Sequence, residues 1–213
     1  NPSKKGAQKE ECIQKPNAKF LLDNADIIRH VTLAPEMDEG HEAIKEVARN
    51  SDILISMGHT AAGYEEAVSA VADVSHATHL FNAMTPLAHR DPGVVGAAFA
   101  TDVTVELICD TFHIHPGVFG TVAKLKPGKL CLITDCTRAG GMPDGEYELG
   151  GQPIEMKGGK ATLRGTDTLA GSSSNLLSEL QNVVAFGLPL EDAVTALTLA
   201  PARAVRLDHQ IGS

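Results

Sequence analysis

Four strand-like segments, each running into an ionisable side chain, limit what this chain can fold into. Ile53-Leu54-Ile55-Ser56-Met57-Gly58 is closed by His59, and a second buried-looking segment ends twenty residues later in His79. Val103 to Cys109 leads into Asp110 and His113, and Lys129 to Thr134 delivers Asp135. Parallel strands that feed polar groups to one rim are how α/β barrels build catalytic sites. The pattern reads as an enzyme, and as a metal-dependent one.

The rest of the chain keeps that rhythm. Val31-Thr32-Leu33 precedes a helical stretch from about His41 to Arg49, and Ile53 to Met57 precedes an amphipathic helix from Ala61 to Val71. In that helix Ala67, Val68 and Val71 fall at helical spacing. Val74 to Leu80 reads as a short strand entering a loop with Arg90-Asp91-Pro92-Gly93, and Pro116 to Lys124 as a short helix. Repeated β-then-α units imply a parallel sheet. The rhythm breaks at Glu146 to Leu163, where Gly150-Gly151 and Lys157-Gly158-Gly159-Lys160 predict a hairpin excursion. Ser173 to Phe186 returns to helix, with Leu176, Leu177, Leu180, Val183 and Val184 as its apolar stripe. Leu190 to Leu199 follows as another helix, and Pro201-Ala202-Arg203-Ala204 opens a last one. No repeat or linker divides residues 1–213, which read as one partial catalytic barrel domain.

Composition narrows the function classes. A length of 213 residues with 43% hydrophobic content supplies one sizeable core. A net charge of −9 argues against nucleic acid, whose phosphates reward basic patches. No apolar run approaches the ~18 residues that span a bilayer, and Asn1 to Gly6 lack the apolar stretch of a signal peptide. Cys12, Cys109, Cys131 and Cys136 follow no zinc-ribbon spacing, and two lie inside strand-like runs as small hydrophobes. A reducing cytoplasm is the natural reading. The chain opens without an initiator Met and stops after Ile211-Gly212-Ser213, which suggests a piece of something longer.

Spacing alone leaves each candidate with two readings. His59 and His79 are metal ligands, or histidines that hydrogen-bond in a turn. Asp135 is a proton acceptor beside an activated water, or a cap before Thr137, Gly140 and Gly141. Arg90 clamps a phosphate or carboxylate, or faces solvent. His113 and His115 share a side only if their segment is extended. Gly171-Ser172-Ser173-Ser174 is an anion-binding turn or a simple capping run.

Read in order, these segments resemble the N-acetylglucosamine-6-phosphate deacetylases of the amidohydrolase superfamily. The resemblance covers nearly the whole chain. It rests on Val31-Thr32-Leu33-Ala34-Pro35-Glu36, Gly58-His59-Thr60, Thr78-His79-Leu80-Phe81-Asn82-Ala83-Met84 and Arg90-Asp91-Pro92-Gly93. Further matches are Ile133-Thr134-Asp135, Leu169-Ala170-Gly171-Ser172 and Pro201-Ala202-Arg203-Ala204, and the run from Thr78 to Met84 is the most distinctive.

The resemblance implies a (β/α)8 barrel that hydrolyses the acetamide of N-acetylglucosamine 6-phosphate to glucosamine 6-phosphate and acetate. His59 and His79 match the family's metal-binding histidines, and the ion implied is divalent, zinc foremost, with iron or another divalent ion as alternatives. Asp135 matches the catalytic aspartate that moves a proton from the metal-activated water to the sugar nitrogen. His113 matches a histidine that contacts substrate and stabilises the tetrahedral intermediate. Arg90, with the backbone around Asn82 and Ala83, matches the phosphate-binding region, and Ala7, Gln8, Ala170, Gly171 and Ser172 match sugar contacts. A cytoplasmic homodimer is implied for the full-length protein, with a small phosphosugar as its partner and neither nucleic acid nor membrane.

Three departures qualify the match. A family Glu ligand lies in a His-x-Glu-Gly-Pro-Phe segment just before the stretch matched by Asn1 to Gly6, so the early strands and the flanking β-sandwich are expected to be absent. The 213 residues alone are therefore expected to bind metal weakly, to show little activity and to expose two open sheet edges. Gln8 stands where many members carry His, and Thr111 replaces a common glycine before His113, which bears on the loop's backbone angles. The competing readings are an amidohydrolase for a different amide and a catalytically dead sugar-phosphate-binding module.

Overall fold

A computed structural model describes residues 1–212. After α1 (Ala18–Asp23), the chain alternates: β1 (His30–Leu33), α2 (Glu42–Asn50), β2 (Leu54–Met57), α3 (Tyr64–Ala70) and β3 (His76–Ala77). It continues through α4 (Gly93–Ala100), β4 (Thr104–Ile108), α5 (Phe119–Leu125) and β5 (Leu130–Ile133). The five strands form one parallel sheet in sequential order, β1-β2-β3-β4-β5. Consecutive parallel strands joined by helices, with no reversal of order, are the topology of a (β/α) barrel wall, here five strands of one.

Two faces of this sheet do different work. Ile55, Met57, Ala77, Val105, Leu107 and Leu132 point to the helices and share one core with Ile44, Val47, Ala67, Val94, Phe119 and Val122. Residues of the alternate parity face the other way and include the polar Thr32, Ser56, His76, Thr78 and Glu106. There Thr78 Oγ1 lies 2.8 Å from Thr32 Oγ1 and 2.6 Å from the Ser56 hydroxyl. This hydroxyl layer leaves no room beside it: a Cβ on Gly58 would stand 2.7 Å from Thr32 Cγ2.

The excursion contains three strands rather than a simple hairpin: β6 (Gly145–Leu149), β7 (Gln152–Lys157) and β8 (Lys160–Leu163) form an antiparallel sheet in that order. It has its own small core of Ala139, Ile154, Met156 and Ala170. The chain ends in α6 (Leu176–Ala185), α7 (Leu190–Leu197) and α8 (Leu199–Ala204).

Helix faces depart from the sequence expectation in two places. In α3 the buried residues are Ala67 and Ala70, while Val68 is exposed. In α6 Leu176, Leu177 and Val184 face outward, and the buried positions are Glu179 and Val183. Val183 and the partly buried Leu180 keep part of the expected stripe, but a carboxylate is buried beside them, and its partner lies at the end of β4.

Candidate active site

Each of the four parallel strands from β2 to β5 offers an ionisable residue two positions beyond its last member. Met57 is followed by His59, Ala77 by His79, Ile108 by Asp110 and Ile133 by Asp135. Met57 pairs with Ala77 and Ile108 with Ile133. The register therefore sets His59 level with His79 and Asp110 level with Asp135, all at the C-terminal ends of parallel strands. This is the edge on which a barrel carries its chemistry.

Three of these residues share an uncommon backbone. His59, His79 and Asp135 have φ of 48°, 34° and 48°. A non-glycine residue in the left-handed region costs about 1–2 kcal/mol, and such strain collects at functional sites. Gly171 secures the turn at Asp135: its φ is 61°, and a Cβ there would meet Asp135 O at 2.9 Å and Thr137 Cγ2 at 2.5 Å.

The two histidines meet through their Nε2 atoms at 3.1 Å, with ring planes 81° apart. His59 Nδ1 lies 2.8 Å from the Lys4 carbonyl oxygen, which can only accept, so Nδ1 carries the hydrogen. That tautomer leaves Nε2 as the lone-pair nitrogen. Glu36 fixes the same loop by accepting from Thr60 Oγ1 at 2.5 Å and Ala61 N–H at 2.6 Å. Burial, and then the neighbouring His59, holds the His79 pKa below the usual imidazole value, so the ring favours its neutral form. Two imidazoles presenting Nε2 to one point fit a zinc-type donor set. Among the described residues no group of three His, Cys, Asp or Glu side chains stands ready to hold an ion. The donors fit as half of a site.

His113 is oriented from behind. Its Nδ1 lies 2.7 Å from Asp110 Oδ2, while Asp110 Oδ1 accepts the N–H groups of Phe112 and His113, each at 2.9 Å. Burial works against charge on Asp110, but the hydrogen bonds from His113 and Phe112 together outweigh it and lower its pKa. Asp110 therefore stays ionised and holds the Nδ1–H, which leaves His113 Nε2 for the cavity that the residue lines. Thr111 between them has φ 72°, the conformation that the missing glycine would have favoured.

A cavity of about 700 Å³ joins these parts, lined by His59, His79, His113, Asp135 and Gly171, with Ala7, Gln8, Asn82 and Ala83 at its walls. The remaining candidates lie outside it. Ala170 is buried in the core of the small sheet, and Ser172 is buried with its hydroxyl on the Thr134 carbonyl. Arg90 stands exposed on the loop after His79, away from the cavity lining. His115 accepts from Gly117 N–H at 3.1 Å and caps a turn. Sequence reasoning passed over Lys4, which lines the cavity, and over Glu36 and Asp110 as supports. The three-residue step from Asp110 to His113 was the available signal.

Comparison with known proteins places the chain and its fold among relatives. The profile described as the amidohydrolase family matches residues 1–213. An N-acetylglucosamine-6-phosphate deacetylase of Bacillus subtilis is 44% identical over 182 residues, covering 81% of this chain and 45% of that protein. One from Haemophilus influenzae is 35% identical, covering 99% of this chain and 56% of its own. The crystal structure of N-acetylglucosamine-6-phosphate deacetylase from Pasteurella multocida superposes with a TM-score of 0.92 at 34% identity, over 100% of this chain and 58% of that one. The chain spans about half the length of the curated relatives it matches.

Proposed function

This chain belongs to the amidohydrolase family, and from that membership we propose that it supplies the metal-binding histidines and the proton-transfer groups of a deacetylase. The substrate in this reading is N-acetyl-D-glucosamine 6-phosphate, cleaved to D-glucosamine 6-phosphate and acetate in amino-sugar catabolism. The observation that carries it is the convergence of His59, His79, His113 and Asp135 on one cavity.

His59 and His79 would hold the ion through Nε2. When bound, a divalent cation supplies Lewis acidity to the attacking water and to the amide carbonyl. Asp135 takes the water's proton and hands it to the departing sugar nitrogen, which otherwise leaves poorly. His113, steadied through Nδ1 by Asp110, presents Nε2 toward the carbonyl oxygen, where negative charge develops. With Arg90 outside the cavity, Lys4 and Lys9 are the cations on its wall suited to the phosphate, beside Asn82 and Ala83. Arg90 keeps the phosphate role only if its loop closes inward.

The same reading makes zinc the ion, residues 1–213 part of one barrel domain, and the whole protein a cytoplasmic homodimer. Four free cysteines support a reducing compartment. No described helix is long and apolar enough to cross a membrane.

The test is acetate release by the zinc-loaded protein that contains this chain, offered N-acetylglucosamine with and without the 6-phosphate. Turnover of the phosphorylated sugar is expected. Binding of glucosamine 6-phosphate without turnover of either sugar would replace this reading with that of a non-catalytic binding module.

A further inference from the structure

Two polar side chains of α6 reach the end of β4. Glu179 is fully buried, and its Oε2 accepts the backbone N–H of Cys109. Asn182 donates from Nδ2 to the Cys109 carbonyl oxygen at 2.8 Å. A spacing of three puts both side chains on one helix face. Both polar groups of a single residue are thus taken by one helix. The ladder between β4 and β5 ends at Ile108 and Ile133, so the Cys109 peptide has left the sheet and needs other partners.

Asp110 is next in the chain, and its carboxylate holds the His113 ring and the backbone beneath it. A rotation of the Cys109 peptide therefore swings Asp110, and the imidazole moves with it. Burial pushes the Glu179 carboxyl up to about 7, against hydrogen bonding from Ser174 and Cys109, with the charge of Asp110 adding to the rise. Among the described residues Oε1 meets no hydrogen-bond partner. A buried carboxyl with one oxygen unmatched is a costly way to pack a helix that could have used leucine there.

We propose that Glu179 and Asn182 form a clamp on the Cys109 peptide that sets the direction of the Asp110–His113 pair, making Glu179 a positioning residue for the reaction. The catalytic consequence rests on the reading above, in which His113 faces the substrate. The clamp itself is a statement about this chain's geometry.

Side-chain ¹⁵N spectra of His113, combined with kcat and KM, test it in the protein that contains this chain. Glu179→Gln keeps an oxygen for the Cys109 N–H, Glu179→Leu removes it, and Asn182→Ala removes only the carbonyl half. The parent and Glu179→Gln are expected to show one Nδ1–H tautomer at His113. Glu179→Leu and Asn182→Ala are expected to show a mixture of tautomers. Their kcat should fall about 10–100-fold, the scale of a misplaced catalytic group, with KM within about threefold of the parent. Asn182→Ala carries the test if Glu179→Leu fails to fold. Parental His113 spectra and kcat in the folded Leu and Ala variants would overturn the clamp. So would equal losses in the Gln and Leu variants, because Gln preserves the hydrogen bond. A parent that releases no acetate would sink the functional reading alone, and the imidazole spectra would still decide the clamp.

Discussion

His59 and His79 face each other through Nε2 atoms 3.1 Å apart, while the far nitrogen of His59 is committed to the Lys4 carbonyl. Two imidazole nitrogens that close are placed to share one cation. His59→Ala and His79→Ala should each weaken zinc binding by at least about 100-fold, the upper range for perturbing a ligand's support. Metal analysis after dialysis reads this directly. Chelation should abolish acetate release, and added zinc should restore it. Unchanged metal content in both variants would remove the histidines from the site.

Asp135 shares the cavity with both histidines and stands at the end of β5 in a left-handed conformation. Asparagine keeps its shape and removes its capacity to take a proton. Asp135→Asn should lower kcat about 10²–10⁴-fold with KM nearly unchanged, the range for losing an acid–base group. Zinc content should match the parent. A fall in metal content instead would mark Asp135 as a ligand.

The strand ends were legible because a buried parallel strand is a short apolar run, and a polar residue just past it breaks the pattern sharply. His59 and Asp135 stood out for that reason, whereas His79 follows the largely polar Ser75-His76-Ala77-Thr78 and was marked by the run from Thr78 to Met84. α4 did not: Gly93–Ala100 is apolar all round and buried along most of its length, so no face repeats at helical spacing. In α6 the apolar count pointed to Leu176 and Leu177, which lie outside, because periodicity takes no account of a peptide such as that of Cys109 recruiting Glu179 inward. Glu36 and Asp110 were missed as supports because they hold other residues in place, and that relation exists only in three dimensions.

Lys126 is buried beneath α4 and donates from Nζ to the carbonyl oxygens of Ala98 at 2.9 Å and Thr101 at 2.8 Å. A cation there completes the helix's C-terminal end. Lys126→Met keeps the volume and leaves both carbonyls unmatched, and it should cost about 2–4 kcal/mol. Urea unfolding would show a lower midpoint with an unchanged slope. Parental stability would mean that water replaces the ammonium.

His76 and Glu179 make stability depend on pH in opposite directions. Burial, then the neighbouring His30, lowers His76 from 6.5 to about 4. The unfolded chain takes up that proton first, so the contribution of His76 is present above pH 6.5 and is lost as pH falls towards 4. Glu179 is raised from 4.5 to about 7, so its contribution is present below pH 4.5 and is lost as pH rises through 7. Relative to the parent, His76→Phe should gain melting temperature as pH falls through its window, and Glu179→Gln should gain as pH rises through the other. Melting curves between pH 4 and pH 8 decide both, and parallel curves for either variant and the parent would reject that residue's shift.

Thr111 holds φ at 72° between Asp110 and the two N–H groups that Asp110 accepts. A β-branched residue is poorly suited to that region, at about 1–2 kcal/mol against glycine. Glycine returns part of the gain through greater freedom in the unfolded chain, about 0.5–1 kcal/mol. Thr111→Gly should therefore stabilise the protein by about 0.5–1 kcal/mol, the difference between these effects. Because Asp110 already fixes the loop from both sides, the His113 tautomer should not change. Denaturant midpoints measure the first expectation and imidazole ¹⁵N shifts the second. A destabilised variant would show that the Thr111 side chain makes a contact worth more than the backbone strain it imposes.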